Sequence, residues 1–387
     1  MDFSLSEAQT ELAGLSRKIL TERGPRERQW ADLAAAGVLA AGLPEALGGA
    51  GLGFLEQCSV LAEIGRATSP APYLSSVVLA AGAIAEFGRQ DQRGRWAGPA
   101  GNGSVVLTAA LSEEDGADPS SPSVRAERVD GRWRLSGVKT VVPAATFADL
   151  ILVPASGADG VQVFLVEPSD DGVTVQPQSL TDGADAGRLV LDGVGLDDGR
   201  VLGGSGRVEA GRVEAGRGAQ ITDWLVARGT VGVCAMQAGV LERALELTAE
   251  YARSREQFGR PIGSFQAVAQ RLADAYIDVE AVRLTMWQAA WLLADGQPGD
   301  PEVDAAVASA KFWAADAGHR VAHTAVHVHG GLGIDASYPV QRYFVAAKRA
   351  EFTLGGATAQ LLRLGNVLGR LPGRGLLPAA ATSRILR

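Results

Sequence analysis

The sequence predicts an α+β chain laid out in three successive stretches: helices, then a compact antiparallel β domain, then a bundle of long helices. Three observations carry this. Apolar residues recur every three or four positions near the N-terminus. Short Val/Leu/Thr-rich runs separated by Asp/Gly turns fill the middle. A seam of at least six helical turns runs through the last stretch. We place the boundaries at 1–103, 104–204 and 221–387, with 205–220 as a linker. The 387 residues, 47% hydrophobic and 21% charged, suffice for a large buried core and exclude wholesale disorder.

The first stretch begins with Leu5, Ala8, Leu12 and Leu15, whose steps of three and four predict the buried face of a first helix. A Gly/Pro-punctuated loop runs from Gly37 to Gly49. In the middle stretch SVVLTAAL, RWRLSG, DLILVPA, VQVFLVEP, GVTVQPQ and GRLVLDGV read as strands, and Asp130-Gly131 is a hairpin signal. The linker repeats Gly206 to Ala210 as Gly211 to Ala215, which is too short for a solenoid and reads as a loop insertion. Phe265, Val268, Leu272, Ala275, Val279, Val282 and Met286 then form the seam of a long helix ending at Asp295-Gly296. A second helix runs from about Val303 to Val328 and stops at Gly330-Gly331, and a third follows Tyr338-Pro339. Long helices joined by short loops make a bundle.

Lys+Arg 36 against Asp+Glu 44 gives a net charge of −8, which argues against nucleic acid as a partner. Cys58 and Cys234 cannot build a disulfide framework; they are expected to be buried packing residues in a reducing, cytoplasmic setting. The acidic N-terminus lacks the basic region of a signal peptide, and no apolar run reaches the ~18 residues of a membrane span. His319, His323 and His327 recur at metal-ligand spacing. No cysteine or carboxylate cluster stands beside them to complete a shell, so no metal site is predicted and helix packing is expected for the first two. Met286, Trp287 and Trp291 are expected in the core.

Three strings stand out. Tyr251-Ala252-Arg253-Ser254-Arg255-Glu256-Gln257-Phe258-Gly259-Arg260-Pro261-Ile262 continues to Phe265-Gln266. His327-Val328-His329-Gly330-Gly331-Leu332-Gly333 closes the second long helix. Pro44 to Gly51 reads PEALGGAG. In this order, over essentially the whole chain, they resemble the acyl-CoA dehydrogenase family and its patterns Y-x-x-x-R-x-x-F-G-x-x-I…F-Q and Q-x-x-G-G-x-G. The resemblance implies a helical N-terminal domain, a central antiparallel β domain and a C-terminal four-helix bundle that mediates oligomerisation. It implies FAD bound between two subunits, an acyl-CoA substrate and an electron-transfer flavoprotein as electron acceptor. Arg255, Phe258, Gln266, His327, Gly330 and Gly331 match the positions that contact the ADP side of a neighbouring subunit's FAD, and His329 is expected on the same surface. The chemistry agrees: arginine pairs with pyrophosphate as a fork, phenylalanine covers an aromatic ring, and glycines admit close backbone approach.

The other half of the site departs from the pattern. The family's L-T-E-P-x-A-G-S-D lead-in to the β domain is here Leu111-Ser112-Glu113-Glu114-Asp115-Gly116-Ala117-Asp118. Four carboxylates are thereby expected where a loop should approach the flavin and its diphosphate. The W-I-T element is Val141-Val142-Pro143, without the indole, the hydroxyl or one backbone N–H. The commonest base position falls on Gly356 and the alternative one on Gly229. Glycine cannot serve as a general base, so no catalytic residue is predicted. Asp278, Glu280 and Glu351 are the substitute carboxylates weighed, with a salt-bridge role expected for Glu351. The combination resembles the actinobacterial steroid side-chain-CoA dehydrogenases, which pair two unlike subunits as α2β2 tetramers, only one of which carries the base. The implied chain is the base-less β-type subunit, supplying ADP-side contacts in trans to a catalytic partner that oxidises a steroid side-chain or other bulky branched acyl-CoA. A self-sufficient homotetramer with its base elsewhere, and a flavin-free scaffold or regulatory paralogue, are the alternatives.

Overall fold

The structure, a computed structural model, describes residues 4–21, 24–114, 118–204 and 217–370. The duplication at 206–215 lies outside these residues, as do Asp115, Gly116 and Ala117 of the acidic loop. The chain opens with α1 (Glu7–Thr21), α2 (Arg26–Ala35) and α3 (Phe54–Ala67). A π-helical segment, Tyr73–Ala81, runs into α4 (Gly82–Phe87), followed by the short α5 (Gln90–Gln92) and α6 (Gly98–Gly101). The buried face of α1 is Gln9, Leu12, Ser16 and Leu20, whereas Leu5 and Leu15 are exposed, so the predicted face is rotated. The physical reason is an ion pair. Arg17 grips Glu63 of α3 through two nitrogens, at 2.9 and 2.6 Å, and fixes which side of α1 meets its neighbour.

Strands β1 (Leu107–Ala109), β2 (Arg125–Val129), β3 (Arg132–Pro143), β4 (Leu150–Gly157), β5 (Gly160–Val166), β6 (Val173–Ser179) and β7 (Asp185–Leu196) form one sheet. Its order is β1-β4-β2-β3-β7-β6, with β5 on β4. The pairing is largely antiparallel, but β1 and the first residue of β2 pair parallel to β4. That follows from the connection: β1 enters from the helices, the β2–β3 hairpin intervenes, and β4 returns beside β1. Asp130 and Gly131, at φ 51° and 79°, make the tight turn of that hairpin. The unbroken apolar run of β4 has its cause in burial on both faces. Leu150 and Leu152 join the helical core, while Ile151 and Val153 join a second core with Trp133, Leu135, Phe164 and Leu189.

The C-terminal part holds α7 (Arg217–Ser254), a two-residue-per-strand hairpin of β8 (Glu256–Gln257) and β9 (Arg260–Pro261), α8 (Gln266–Asp295), α9 (Pro301–His329), α10 (Pro339–Phe352) and α11 (Ala357–Arg370). Helix α7 packs against α3, α8, α9 and α10. By length and composition it could cross a membrane, contrary to the expectation that no apolar stretch is long enough. Yet 78% of that window is buried within the molecule, as in a central core helix. The α3–α7 crossing is backbone on backbone: a Cβ on Gly65 or Gly239 would lie 1.9 Å from the carbonyl oxygen of Met236 or Ala62. On α8 the predicted seam is buried at Ala275, Val279, Val282 and Met286. Trp291 is not in the core, however. It is 46% exposed and extends an outward stripe with Ile277 and Leu284, spaced seven apart. Asp278, on the buried side, accepts two hydrogen bonds from Arg320 of α9, at 2.6 and 2.8 Å.

Candidate functional site

The arginine motif is built where α7 ends. The Arg255 N–H donates to the Tyr251 carbonyl at 2.8 Å, and the Arg255 carbonyl accepts from Ile262 at 2.8 Å, closing a hairpin. Its tip is Phe258-Gly259, both left-handed at φ 56° and 77°, the pair a tight hairpin turn requires. This leaves the Phe258 ring 94% exposed, edge-on to Phe265 at 6.2 Å. Arg260 stacks over Phe265 at 4.2 Å, stiffening the base of the hairpin. Arg255 is exposed, with no carboxylate on its guanidinium among the described residues, and Gln266 is the exposed first residue of α8.

The second motif closes α9. Gly330, at φ 61°, terminates the helix, and a Cβ on Gly330 or Gly331 would meet nothing within 4 Å, so the backbone there is open to a ligand. His327 is exposed beside it. His329 is not on that surface. It is 4% exposed, stacked on Tyr251 at 4.4 Å, and its Nδ1–H donates to the Ala325 carbonyl at 2.8 Å; burial lowers its pKa. Its Nε2 has no partner in the core. The Tyr251–His329 stack joins the end of α7, where the hairpin begins, to the end of α9; Arg255, Phe258, Gln266, His327, Gly330 and Gly331 are each exposed. No cluster of His, Cys, Asp or Glu suited to a metal occurs among the described residues. His319 lies 2.9 Å from the Lys348 ammonium and 3.3 Å from Glu351, and its ring lies 4.3 Å from that of His323.

The substitute carboxylates are all engaged: Asp278 by Arg320, Glu280 by Arg283 at 2.7 Å, and Glu351 by Lys348 and His319. Gly356 has ordinary space for a Cβ, with its nearest neighbours at 3.7 and 3.8 Å. Gly229 faces Leu354, whose Cδ1 lies 3.0 Å from where a Cβ would be. Sequence reasoning missed Leu354. It is left-handed at φ 58°, and the only signal was its place before two glycines.

The acidic loop differs from the expectation of carboxylates turned on a diphosphate. Each of the three described ones has a cation: Glu113 has Lys139 at 2.7 Å, Glu114 has Arg188, and Asp118 has Arg363 at 3.6 Å. Glu113 and Lys139 are almost wholly buried. Burial pushes the Glu113 carboxyl up, but Lys139 and the Ser123 donors outweigh it and hold the pKa at about 2. At 140–143 the Thr140 N–H donates to Ser112, the Val141 N–H to Gln178 Oε1 at 2.7 Å, and Pro143 has none to give; its carbonyl accepts from Thr108 at 2.6 Å. Val141 is forced to φ 51°, an outlier for a β-branched residue. This segment offers few backbone donors to a flavin's polar edge, so it fits the group poorly. The exposed arginine, exposed ring and bare glycine backbone suit an ADP moiety approaching from outside. Separately, a surface groove of ≈ 680 Å³ between α2 and the loop before β1 is lined by Arg26, Trp30, Asn102 and Phe147, none of them a motif residue.

The chain matches the acyl-CoA dehydrogenase N-terminal domain over residues 6–104, the middle domain over 108–194 and the C-terminal domain over 216–368. It is 46% identical to the acyl-CoA dehydrogenase FadE27 of Mycobacterium tuberculosis, over 96% of this chain and 100% of that one. It is similar to a chain in the crystal structure of the ChsE4–ChsE5 complex from the same organism, with TM-score 0.87, 46% identity, and coverage of 96% and 100%. It is also similar to a chain of a Tcur3481–Tcur3483 steroid ACAD variant, with TM-score 0.85, 39% identity, and coverage of 95% and 99%. The chain belongs to the acyl-CoA dehydrogenase family. Members of this family bind FAD, and its fold is the helical, β and helical arrangement described above.

Proposed function

We propose that this chain is the base-less subunit of a heteromeric FAD-dependent acyl-CoA dehydrogenase, completing the cofactor site of a catalytic partner in an α2β2 assembly. The observation that carries the reading is the asymmetry between the two halves. Both base positions are glycine, and the segment meant for the flavin has its Thr140 and Val141 donors engaged within the chain and none at Pro143. The ADP-side residues meanwhile stand exposed and uncommitted. FAD, when bound, supplies the acceptor for the hydride that leaves the acyl Cβ. Arg255, with its forked guanidinium, would hold the pyrophosphate, Phe258 would supply an apolar ring, Gln266 and His327 polar side chains, and Gly330 and Gly331 open backbone amides. Removal of the α-proton falls to a carboxylate of the partner, because position 356 or 229 here cannot hold a proton.

The likeness to a steroid ACAD supports a steroid side-chain or other bulky branched acyl-CoA as substrate, and the two-component ChsE4–ChsE5 complex supports two unlike subunits. An electron-transfer flavoprotein is the matching electron acceptor. The test is the visible spectrum and dehydrogenase activity of the purified chain, alone and co-expressed with a base-bearing family member. Alone it is expected to be colourless and inactive, and together flavin-bound and active. A yellow, active chain on its own overturns the reading. In the complex, Arg255→Ala is expected to lower FAD retention and kcat/KM at least tenfold. Unchanged activity sinks the contact in trans.

A further inference from the structure

One half-buried cation among the helices, Arg228 of α7, has no partner within the described chain. Its guanidinium carbon lies 4.3 Å from the ring centroid of Trp224 and 4.9 Å from that of Phe54. Trp224 is set in turn by an edge-on contact with Phe87 at 5.8 Å, and its ring closes on Gly82, where a Cβ would lie 3.1 Å away. Phe54 is 5% exposed and opens α3, shortly after the Pro44 to Gly51 string. Residues of α3, α4 and α7 thus build an aromatic seat for one charge. Ring faces attract a cation, but the N–H fork asks for oxygen acceptors, and among the described residues no carboxylate or carbonyl supplies one. Half-buried arginines elsewhere are paired: Arg66 with Glu242 and Glu246, Arg200 with Glu167 and Asp170. Around Arg228, Glu86 is exposed and acts on it only through space. Cys58 of α3 is a fully buried thiol whose pKa burial raises, so it stays neutral. Burial pushes the guanidinium's own pKa down to about 10. A charge taken from water without hydrogen-bonded compensation is destabilising, so this seat stores a cost that an anion would offset.

We propose that Arg228 is an oxyanion site, whose fork takes the carboxylate or phosphate group of a small ligand beside the Phe54 and Trp224 rings. The planar guanidinium matches two oxygens of either group. None of the ADP-side residues takes part, so the site stands apart from the cofactor contacts and does not depend on the partner reading. The probes are inorganic phosphate and acetate, titrated into the full-length chain at constant ionic strength with chloride as the control salt. Binding is read by calorimetry and the unfolding midpoint by circular dichroism. The wild type is expected to bind one equivalent of at least one of the two oxyanions, with a midpoint that climbs as that anion is added. Phosphate alone assigns a phosphate-bearing ligand and acetate alone a carboxylate. Arg228→Met keeps an apolar stem and removes the charge. It is expected to weaken binding at least tenfold and to flatten the anion dependence, yet to unfold no lower than the wild type in chloride, since it removes a charge without a protein partner. Arg228→Lys keeps the charge without the fork, is also expected to bind at least tenfold more weakly, and serves where the methionine variant fails to fold. A wild type that responds to neither oxyanion, or equally to chloride, overturns the site. So does binding that persists in both variants. A methionine variant that unfolds earlier in chloride, beside a wild type silent to both oxyanions, marks an arginine that only packs.

Discussion

Glu113 shows how far one residue's type can be read without its setting. In the sequence it is the first of a run of carboxylates, and its charge reads as a liability near a diphosphate. In the fold it turns inward to Lys139 and accepts from the Ser123 and Val124 N–H groups at 2.6 and 3.1 Å, so it braces the loop against β3. Removing one partner leaves a buried charge. Glu113→Gln or Lys139→Met is expected to cost about 3–5 kcal/mol in urea unfolding, and replacing both by apolar residues markedly less. The sign of the pH dependence follows from the depressed carboxyl. Its contribution is complete above the ordinary carboxylate value near 4.5 and is lost as pH falls toward about 2. Acid unfolding monitored by circular dichroism should therefore move to higher pH in Glu113→Gln. Hidden polarity of this kind also explains why His329 was misplaced: spacing puts it beside His327, but the ring turns to stack on Tyr251, and only three-dimensional packing decides that.

Elements were legible where period and punctuation agree. The hairpin at Asp130-Gly131, the stop of α9 at Gly330 and the long seam of α8 all carry residues whose backbone or side chain permits little else. The rotation of α1 was not legible, because it depends on Arg17 finding Glu63 some forty-six residues away. Nor was the parallel pairing of β1 with β4, which is a property of the connection rather than of either strand. The close α3–α7 crossing is likewise invisible in the pattern of apolar residues, yet it fixes the helix that bears Gly229. Gly239→Ala forces a methyl into the Ala62 carbonyl and is expected to destabilise the chain by at least about 2 kcal/mol, read as a lower urea midpoint with unchanged slope.

At the scale of the molecule, the core is closed while part of the helical surface is apolar. Ile277, Leu284 and Trp291 form an outward stripe on α8, and α11 adds Leu361, Leu362 and Leu368. Exposed apolar area in continuous stripes marks surfaces that are covered in an assembly. The double variant Ile277→Glu, Leu284→Glu is expected to keep its helical circular dichroism and to sediment as smaller species than the wild type, both alone and with a partner. A wild-type-sized assembly removes the stripe from the interface.

The ordinary free space around Gly356 bears on how such a chain changes over generations. A side chain would fit at that position without steric conflict, so Gly356→Glu is expected to fold as the wild type does. A position that tolerates a side chain yet carries none is not held as glycine by packing, so steric pressure does not account for the residue found there.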